Sequence, residues 1–504
     1  MAMSLETTTN PPSKTYNSQF IRLRSAVYLR GRGLSYGCAN DPIYPAKAVD
    51  VGKYSLNLDE TRLEHIDVLD TDLSIFAPAS MDHVFVGARE HVPLRDLASK
   101  LKIGGHLILH SLGLEADKHR AALCELGSWK EKESMIRNEQ YLGVWKLLRR
   151  SGKGTIEPGR PRATKRACIA RYGAIGDMII LSPLIRTLHE DGYEVTLNVT
   201  PYCADVLKHN PYVSNIIIQE RDVIPNQDLA MYWNEWIPEY DKYINLSESI
   251  EGSLLKVEGR RDFYTHKSWR NELCGDTNYI DNTMRLGGYP DRTGLRGELY
   301  FSATEQKQAK YFRSKFANNF VVMWAVKGSS YHKIYPLLEP FLDQWLSTHP
   351  DALVCLVGGK GEEPLQFSHP QVIPMVGQLA LRDVFALTQY VDCVAGPETS
   401  ILNAAGCFAT PKLVMLSHSS HTNLCKYWEN DYCLQANVGC SPCNQLHYSM
   451  ESCPLTQILD PDQNPVWRGP TCSAVGFPPQ VLAAQLDKIY SLWAANRTHT
   501  PKLL

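Results

Sequence analysis

The chain has 504 residues, 21% of them charged and 44% hydrophobic, and a formal net charge of −2. At roughly 150 residues per domain, that length predicts about three cores. The balanced charge excludes a whole-chain electrostatic argument for nucleic acid or an anionic membrane surface. No apolar run reaches the ~18–20 residues of a membrane span and the segment 1–20 is polar, so a cytoplasmic protein is expected.

Residues 1–19, with Pro11 and Pro12 among many Ser, Thr and Asn, predict a flexible tail. A first domain is expected over 20–150. Its Arg30–Asn40 stretch reads as a strand entering a glycine turn at Gly37, and Ala46–Asp50 as a short second strand. A carboxylate such as Asp50 at the end of that strand is placed to accept hydrogen bonds from ribose hydroxyls. Met81–Gly87 predicts another strand, Leu94–Leu101 a helix, and Lys102–Gly105 a turn before the strand His106–His110. Gly127–Trp129 and Tyr141–Leu148 would close this sheet. Residues 151–166, rich in Gly, Pro and basic side chains without apolar period, read as a linker.

Strand and helix then alternate. Tyr193–Val199, Asn215–Ile218 and Lys242–Leu246 predict one sheet; Asn319–Val326, Ala352–Val357, Val391–Ala395 and Lys412–Leu416 predict another. Helices are expected at Leu381–Tyr390 and Ser400–Cys407. Such alternation gives parallel sheets covered on both faces, here as two halves, 167–310 and 311–504, with strand carboxyl ends facing a cleft.

The stretch Arg171-Tyr-Gly-Ala-Ile-Gly-Asp177 is the candidate centre. An apolar segment precedes it, and Leu181, Leu184, Ile185 and Leu188 follow at helical spacing, so it reads as strand, glycine turn, helix. Gly173 and Gly176 let the backbone turn and stay open to a ligand, and Asp177 falls at the helix start, as an ordinary cap or as a carboxylate presented to a reactant. Most of the 14 cysteines sit singly in apolar segments as small hydrophobes. Cys440, Cys443, Cys453 and Cys472, with Cys433 upstream, form a separate group whose spacings fit no compact zinc finger, so loop packing or a local disulfide is expected ahead of metal.

The N-terminal part resembles a class I S-adenosylmethionine-dependent methyltransferase. The residues that carry this are Gly37-Cys38, Asp50, Glu90-His91-Val92 and Leu101-Lys-Ile-Gly-Gly-His106, with Ser35 and Ala39 standing where the family has an acidic residue and a glycine. The resemblance implies an adenosylmethionine site at Gly37 and Asp50, or a retained scaffold.

Residues 167 to about 495 resemble the lipopolysaccharide heptosyltransferases, through an ordered series: Gly176-Asp177, Tyr240–Ser247, Ser329-Ser330, Lys333-Ile-Tyr-Pro336, Gly358-Gly359 with Glu362, Gly377 with Leu381, and Glu398-Thr-Ser400. The fold class expected is therefore α/β, a Rossmann-like methyltransferase-type domain followed by a GT-B pair of Rossmann-like domains. The resemblance implies inverting, metal-independent transfer from a nucleotide-diphosphate sugar, with no cofactor needed for that step. The acceptor is left open among glycan, lipid-linked saccharide, nucleic acid and protein. Asp177 becomes the catalytic base and Lys333 a cation at the diphosphate. Ser329, Ser330, Thr399 and Ser400 become donor-binding, with Glu362 on the ribose and Glu398 on sugar hydroxyls. Taken singly, Lys333 is equally a surface lysine, Glu398 a capping residue and Glu362 a solvated charge. Glu398 replaces the family's Asp and Asn403 its histidine.

Overall fold

The computed structural model describes residues 24–25, 33–36, 65–68, 78–79, 81–86, 94–112, 116–137, 140–150, 156–157, 165–219, 224, 229–247, 277–330, 333–360, 368–443, 456–458 and 468–499. They divide into two compact units, 1–165 with 217–242, and 166–216 with 243–504.

The first unit contains β1 (Gly33–Tyr36), β2 (His65–Val68), β3 (Met81–Val86), α1 (Leu94–Lys100), β4 (Leu101–Leu112), α2 (Ala116–Leu126), β5 (Gly127–Arg137), β6 (Gln140–Arg150) and β7 (Ile156–Glu157). The sheet runs β2-β1-β3-β4-β6-β5-β7. Strands β1 to β4 pair in parallel, whereas β6 is antiparallel to both β4 and β5. Leu97 of α1 and Leu123 of α2 pack on one face against Leu34, Val84, Leu107, Trp129 and Trp145. A Cβ at Gly143 would lie 2.0 Å from the Trp145 ring, so the glycine makes room for the largest side chain in this core.

Three expectations change. The strand beside β1 is His65–Val68, and the Ala46–Asp50 segment lies outside the described residues. Four residues are too few for periodicity to reveal a strand. The expected turn at Lys102–Gly105 falls inside β4 as an irregularity in the ladder, which pairs Leu101 with Met81 and resumes at His106 with His83. Within the expected linker, Ile156–Glu157 adds as an edge strand on β5, and Lys165 opens the next strand.

The second unit begins with β8 (Lys165–Arg171), α3 (Ile175–Glu190), β9 (Tyr193–Val199), α4 (Pro201–Val206) and β10 (Val213–Ile218). The chain next enters α5 (Leu229–Trp236), which packs with the first unit, although the sequence places it inside the 167–310 half. There the buried Arg24 bonds the Glu133 carboxylate at 2.6 Å and the Glu235 carbonyl at 3.1 Å, and its guanidinium lies 4.2 Å from the Trp236 ring centre. The chain returns in β11 (Lys242–Asn245), completing a sheet ordered β10-β9-β8-β11.

After α6 (Tyr279–Leu286) and α7 (Ala303–Ser314) come β12 (Phe320–Ala325), α8 (Leu338–Ser347), β13 (Ala352–Val357), β14 (Val372–Pro374), α9 (Leu381–Leu387), β15 (Cys393–Pro397), α10 (Ser400–Gly406), β16 (Lys412–Leu416), α11 (His421–Leu424) and β17 (Leu434–Gln435). The last elements are β18 (Thr456–Ile458), β19 (Arg468–Pro470), α12 (Thr471–Val475) and α13 (Pro479–His499). The six-stranded sheet is parallel, in the order β14-β13-β12-β15-β16-β17. That is the doubly wound order, with its reversal between β12 and β15. The four-stranded sheet reverses in the same way between β8 and β11. One apolar core runs from Ile169, Leu181 and Leu184 to Met323, Phe385 and Leu402, so the two sheets of this unit are packed through their helices. Phe341 and Trp345 of α8 and Leu486 and Ile489 of α13 cover the other face of the six-stranded sheet. Among the described residues no helix is long and apolar enough to cross a membrane.

Candidate functional site at two strand reversals

In doubly wound sheets the ligand crevice lies beyond the strand carboxyl ends where the order reverses. The first such end in the second unit is Arg171, which leads into Tyr172, Gly173 and α3. Asp177 sits at the third position of α3, only 6% exposed. Its Oδ2 accepts the Ala174 N–H at 2.7 Å and lies 3.0 Å from Nη2 of the fully buried Arg171. Arg171 in turn donates through Nη1 to the Leu246 carbonyl at 2.6 Å, tying the turn to the end of β11. Tyr172 N–H reaches Ser247 Oγ on the same strand end. Oδ1 of Asp177 receives no hydrogen bond among the described residues. Cys203 Sγ lies 3.3 Å from the Gly173 carbonyl; burial pushes its thiol up, with the Asp177 charge adding to the effect.

Glycine is required in this turn by space. A Cβ on Gly173 would come within 2.0 Å of Asp177 Oδ2 and 2.9 Å of Arg171 Nε. A Cβ on Gly176 would meet Asn403 Nδ2 at 2.5 Å and Ser400 Cα at 3.8 Å, so the first turn of α3 lies directly against the start of α10.

That start is the second reversal point. Beyond β15, Thr399 caps α10, its hydroxyl accepting the Leu402 N–H at 3.4 Å, and Ser400 is the first helical residue, half-buried. Glu398 is buried and points the other way. Its Oε1 accepts the N–H groups of Ser417, His418 and Ser419 at 2.7, 2.8 and 3.1 Å, and its Oε2 that of Ser419 at 3.2 Å. A carboxylate has about four acceptor sites, so this one is occupied in holding the loop after β16. His418 Nδ1 lies 3.6 Å from Oε2. Burial lowers the imidazole's pKa and the charge of Lys333 lowers it further, against the pull of Glu398.

From β12, the other strand at this reversal, the chain folds back on itself. Lys327 bridges Ile334, Gly328 N–H donates to the Lys333 carbonyl at 2.8 Å, and Lys333 N–H to the Ser330 carbonyl at 2.9 Å. The Lys333 side chain passes over Gly328, where a Cβ would lie 2.7 Å from Lys333 Cβ and 2.9 Å from the Glu398 carbonyl. Ser330 is buried and Ser329 exposed. The structure thus brings Gly173, Gly176, Asp177, Thr399, Ser400, Glu398, Ser330 and Lys333 into one neighbourhood. Glu362, Gly37, Asp50 and Cys453 lie outside the described residues, and Cys440, Cys443 and Cys472 form no disulfide among the described residues. Arg171 and His418 were missed by sequence reading. A cation ending an otherwise apolar strand was the available signal for Arg171; nothing in the sequence pointed to His418.

No protein-family model and no curated protein matches the chain. Among solved structures it is similar to a glycosyl transferase of family 9 from Veillonella parvula, with 13% identity and a TM-score of 0.41 over 54% of this chain and 85% of that one. It is also similar to the ADP-heptose lipopolysaccharide heptosyltransferase II of E. coli, with 14% identity and a TM-score of 0.44 over 65% and 99%. The iron-containing dodecameric glycosyltransferase TibC from enterotoxigenic E. coli gives 11% identity and a TM-score of 0.42 over 67% and 79%. Likenesses this distant leave the activity to be argued from the chain's own residues.

Proposed function

We propose that residues 167–504 form a heptosyltransferase-like glycosyltransferase of the GT-B kind, moving a sugar from a nucleotide-diphosphate sugar to an acceptor hydroxyl. The observation that carries this reading is the Asp177 carboxylate, anchored through Oδ2 with Oδ1 unbonded among the described residues, at one strand reversal and against the helix start of the other. Oδ1 takes the acceptor's proton as the acceptor oxygen bonds to the anomeric carbon and the bond to the diphosphate breaks. Displacement from the opposite face inverts the anomeric centre. The departing diphosphate meets the Lys333 ammonium and the N–H groups at Thr399 and Ser400, which supply positive partners without a metal ion in the step. Ser329, Ser330 and Glu362 complete the donor side, and Glu398 acts by ordering the Ser417–Ser419 loop. Glycan, lipid-linked saccharide, nucleic acid and protein all offer the hydroxyl required, and a cytoplasmic setting goes with the same proposal.

The test is a thermal-shift panel of nucleotide sugars and nucleoside diphosphates on the full chain, because a ligand of the native state raises its melting temperature. Stabilisation by a nucleotide sugar and by its free diphosphate, followed by sugar release on incubation, is expected. No shift with any member at millimolar concentration would refute the donor site.

For the first unit, a methyltransferase-type site for S-adenosylmethionine at Gly37 and Asp50 is a second reading. It is favoured by the sheet order, in which β1 ends at Tyr36, just before Gly37, beside the reversal between β1 and β3. Calorimetric titration of the full chain with adenosylmethionine tests it, and absence of heat leaves that unit as a scaffold.

A further inference from the structure

Following the loop that holds Glu398, three side chains suited to metal converge, with a histidine beside one of them. Cys425 ends α11 and is completely buried, and its Sγ lies 3.1 Å from Cys433 Sγ. The sulfurs and a carboxylate oxygen of Asp431 all fall within 4.8 Å of one another. His421, one helical turn before Cys425, contacts Asp431 Oδ2 through Nε2.

These positions are fixed by the backbone on both sides. Ser420 and Asn423 cap α11 reciprocally, and Asn423 Nδ2 bonds the Thr277 carbonyl at 2.9 Å. Asp431 bridges Lys412 of β16, and the Cys433 N–H donates to Asp431 Oδ1 at 2.8 Å. Donors on rigid elements are the condition for a specific metal site.

We propose that Cys425, Cys433 and Asp431, with His421 as the fourth donor, bind a thiophilic divalent cation of the zinc class as a structural clamp between α11 and the β16–β17 edge. Two thiolates, an imidazole and a carboxylate are an ordinary zinc set. Tetrahedral coordination with Zn–S bonds of about 2.3 Å sets sulfurs roughly 3.8 Å apart, so the two thiols need to separate by less than about 1 Å. Binding breaks two S–H bonds, forms two metal–sulfur bonds and releases two protons to solvent.

The charges also suit the surroundings. A dication with two thiolates and one carboxylate carries a net −1, and the neighbouring Lys412 is fully buried, its ammonium bonded among the described residues only to the Phe408 and Glu429 carbonyls at 2.8 and 2.6 Å. The loaded site supplies that cation with a compensating anion. Sulfurs this close could otherwise be oxidised to a disulfide, or remain as packed thiols, and both are decided by experiment.

The full chain, reduced and stripped with chelator, is titrated with Co2+ and then Zn2+. Thiolate-to-cobalt charge-transfer bands displaced by zinc are expected, and the Cys425→Ala/Cys433→Ala variant should bind one equivalent less than wild type. The C-terminal cysteines are thereby controlled for, since they are intact in both proteins. In wild type, without any variant, zinc should protect Cys425 and Cys433 from alkylation, read peptide by peptide by mass spectrometry. Equal metal content in wild type and double variant would overturn the proposal. So would unchanged alkylation at both positions with zinc, or a Cys425–Cys433 disulfide persisting in its presence.

Discussion

Arg382 Nε lies 2.5 Å from Glu305 Oε1 and Nη2 3.1 Å from Oε2, and the same guanidinium also donates to backbone: the Asp205 and Val206 carbonyls at 3.2 and 2.9 Å and the Tyr300 carbonyl at 2.6 Å. One side chain of α9 therefore closes the end of α4 in the four-stranded half and grips the segment entering the six-stranded half. Arg382→Met should cost about 3–5 kcal/mol, as expected when one partner of a buried pair is removed. Denaturant unfolding of the two proteins measures it; an unchanged midpoint would remove Arg382 from the stability of this unit.

Glu305 gives that pair a pH signature. Burial would push its carboxyl up, but the Arg382 hydrogen bond and those from Ser302 outweigh it and hold the pKa at about 2, below the ordinary 4.5. A lowered folded-state value means stability that is complete above about 4.5 and lost as pH falls toward about 2. Melting temperature followed through this window should fall less steeply in Arg382→Met than in wild type.

Asp177→Asn should lower sugar transfer by about 10²–10⁴-fold while leaving donor affinity nearly unchanged. Capping alone would predict little loss of stability, because Asn still accepts the Ala174 N–H. The buried Arg171 changes that expectation: without its partner the variant should also lose about 3–5 kcal/mol. Pairing Asp177→Asn with Arg171→Met should restore much of the stability and none of the turnover. Wild-type turnover in Asp177→Asn would exclude the base role.

Gly173→Ala inserts a methyl where the Asp177 carboxylate now lies, so it should reduce transfer without changing any functional group. Gly192→Ala, whose Cβ meets nothing within 4 Å but whose φ is +85°, is the control for backbone strain alone. Comparable turnover for the two variants would show that the carboxylate's position is immaterial.

Lys333→Ala should weaken a nucleotide sugar and its free diphosphate equally, because the lost contact is to phosphate. Lys333→Arg should recover part of the affinity. Calorimetry on both ligands checks this, and unchanged diphosphate binding would remove Lys333 from the site.

Much of the second unit was legible in the sequence because its strands are buried on both faces. Ala352–Val357 and Lys412–Leu416 read as short apolar runs and form β13 and β16. The turn at Gly173 and Gly176 was legible for a related reason, since glycines between an apolar strand and a helical period have few other uses. What stayed hidden depends on contacts distant in sequence. Arg171 looks like the polar end of a strand until the Leu246 carbonyl, 75 residues on, accepts its hydrogen bond. Glu398 carries no mark that it will turn inward to the Ser417–Ser419 amides. Cys433 read as an outlier of the C-terminal cysteine group and Cys425 was not singled out, because a bend between them, with Asn430 at a φ of +52°, is what joins the sulfurs.

The excursion at 217–242 has a practical consequence for anyone dividing the protein. It is flanked by the second unit in sequence yet belongs to the first by packing, so the polypeptide passes between the two units three times, near 165, 216 and 242. A fragment begun at Arg166 would keep α5 and discard the surface that shields Tyr232, Trp233 and Trp236, all now buried. One ended near 150 would lack the same aromatic residues from the opposite side. A fragment of the second unit begun at Arg166, with 217–242 replaced by a short flexible loop, keeps that unit's interior without carrying the first unit's aromatic residues.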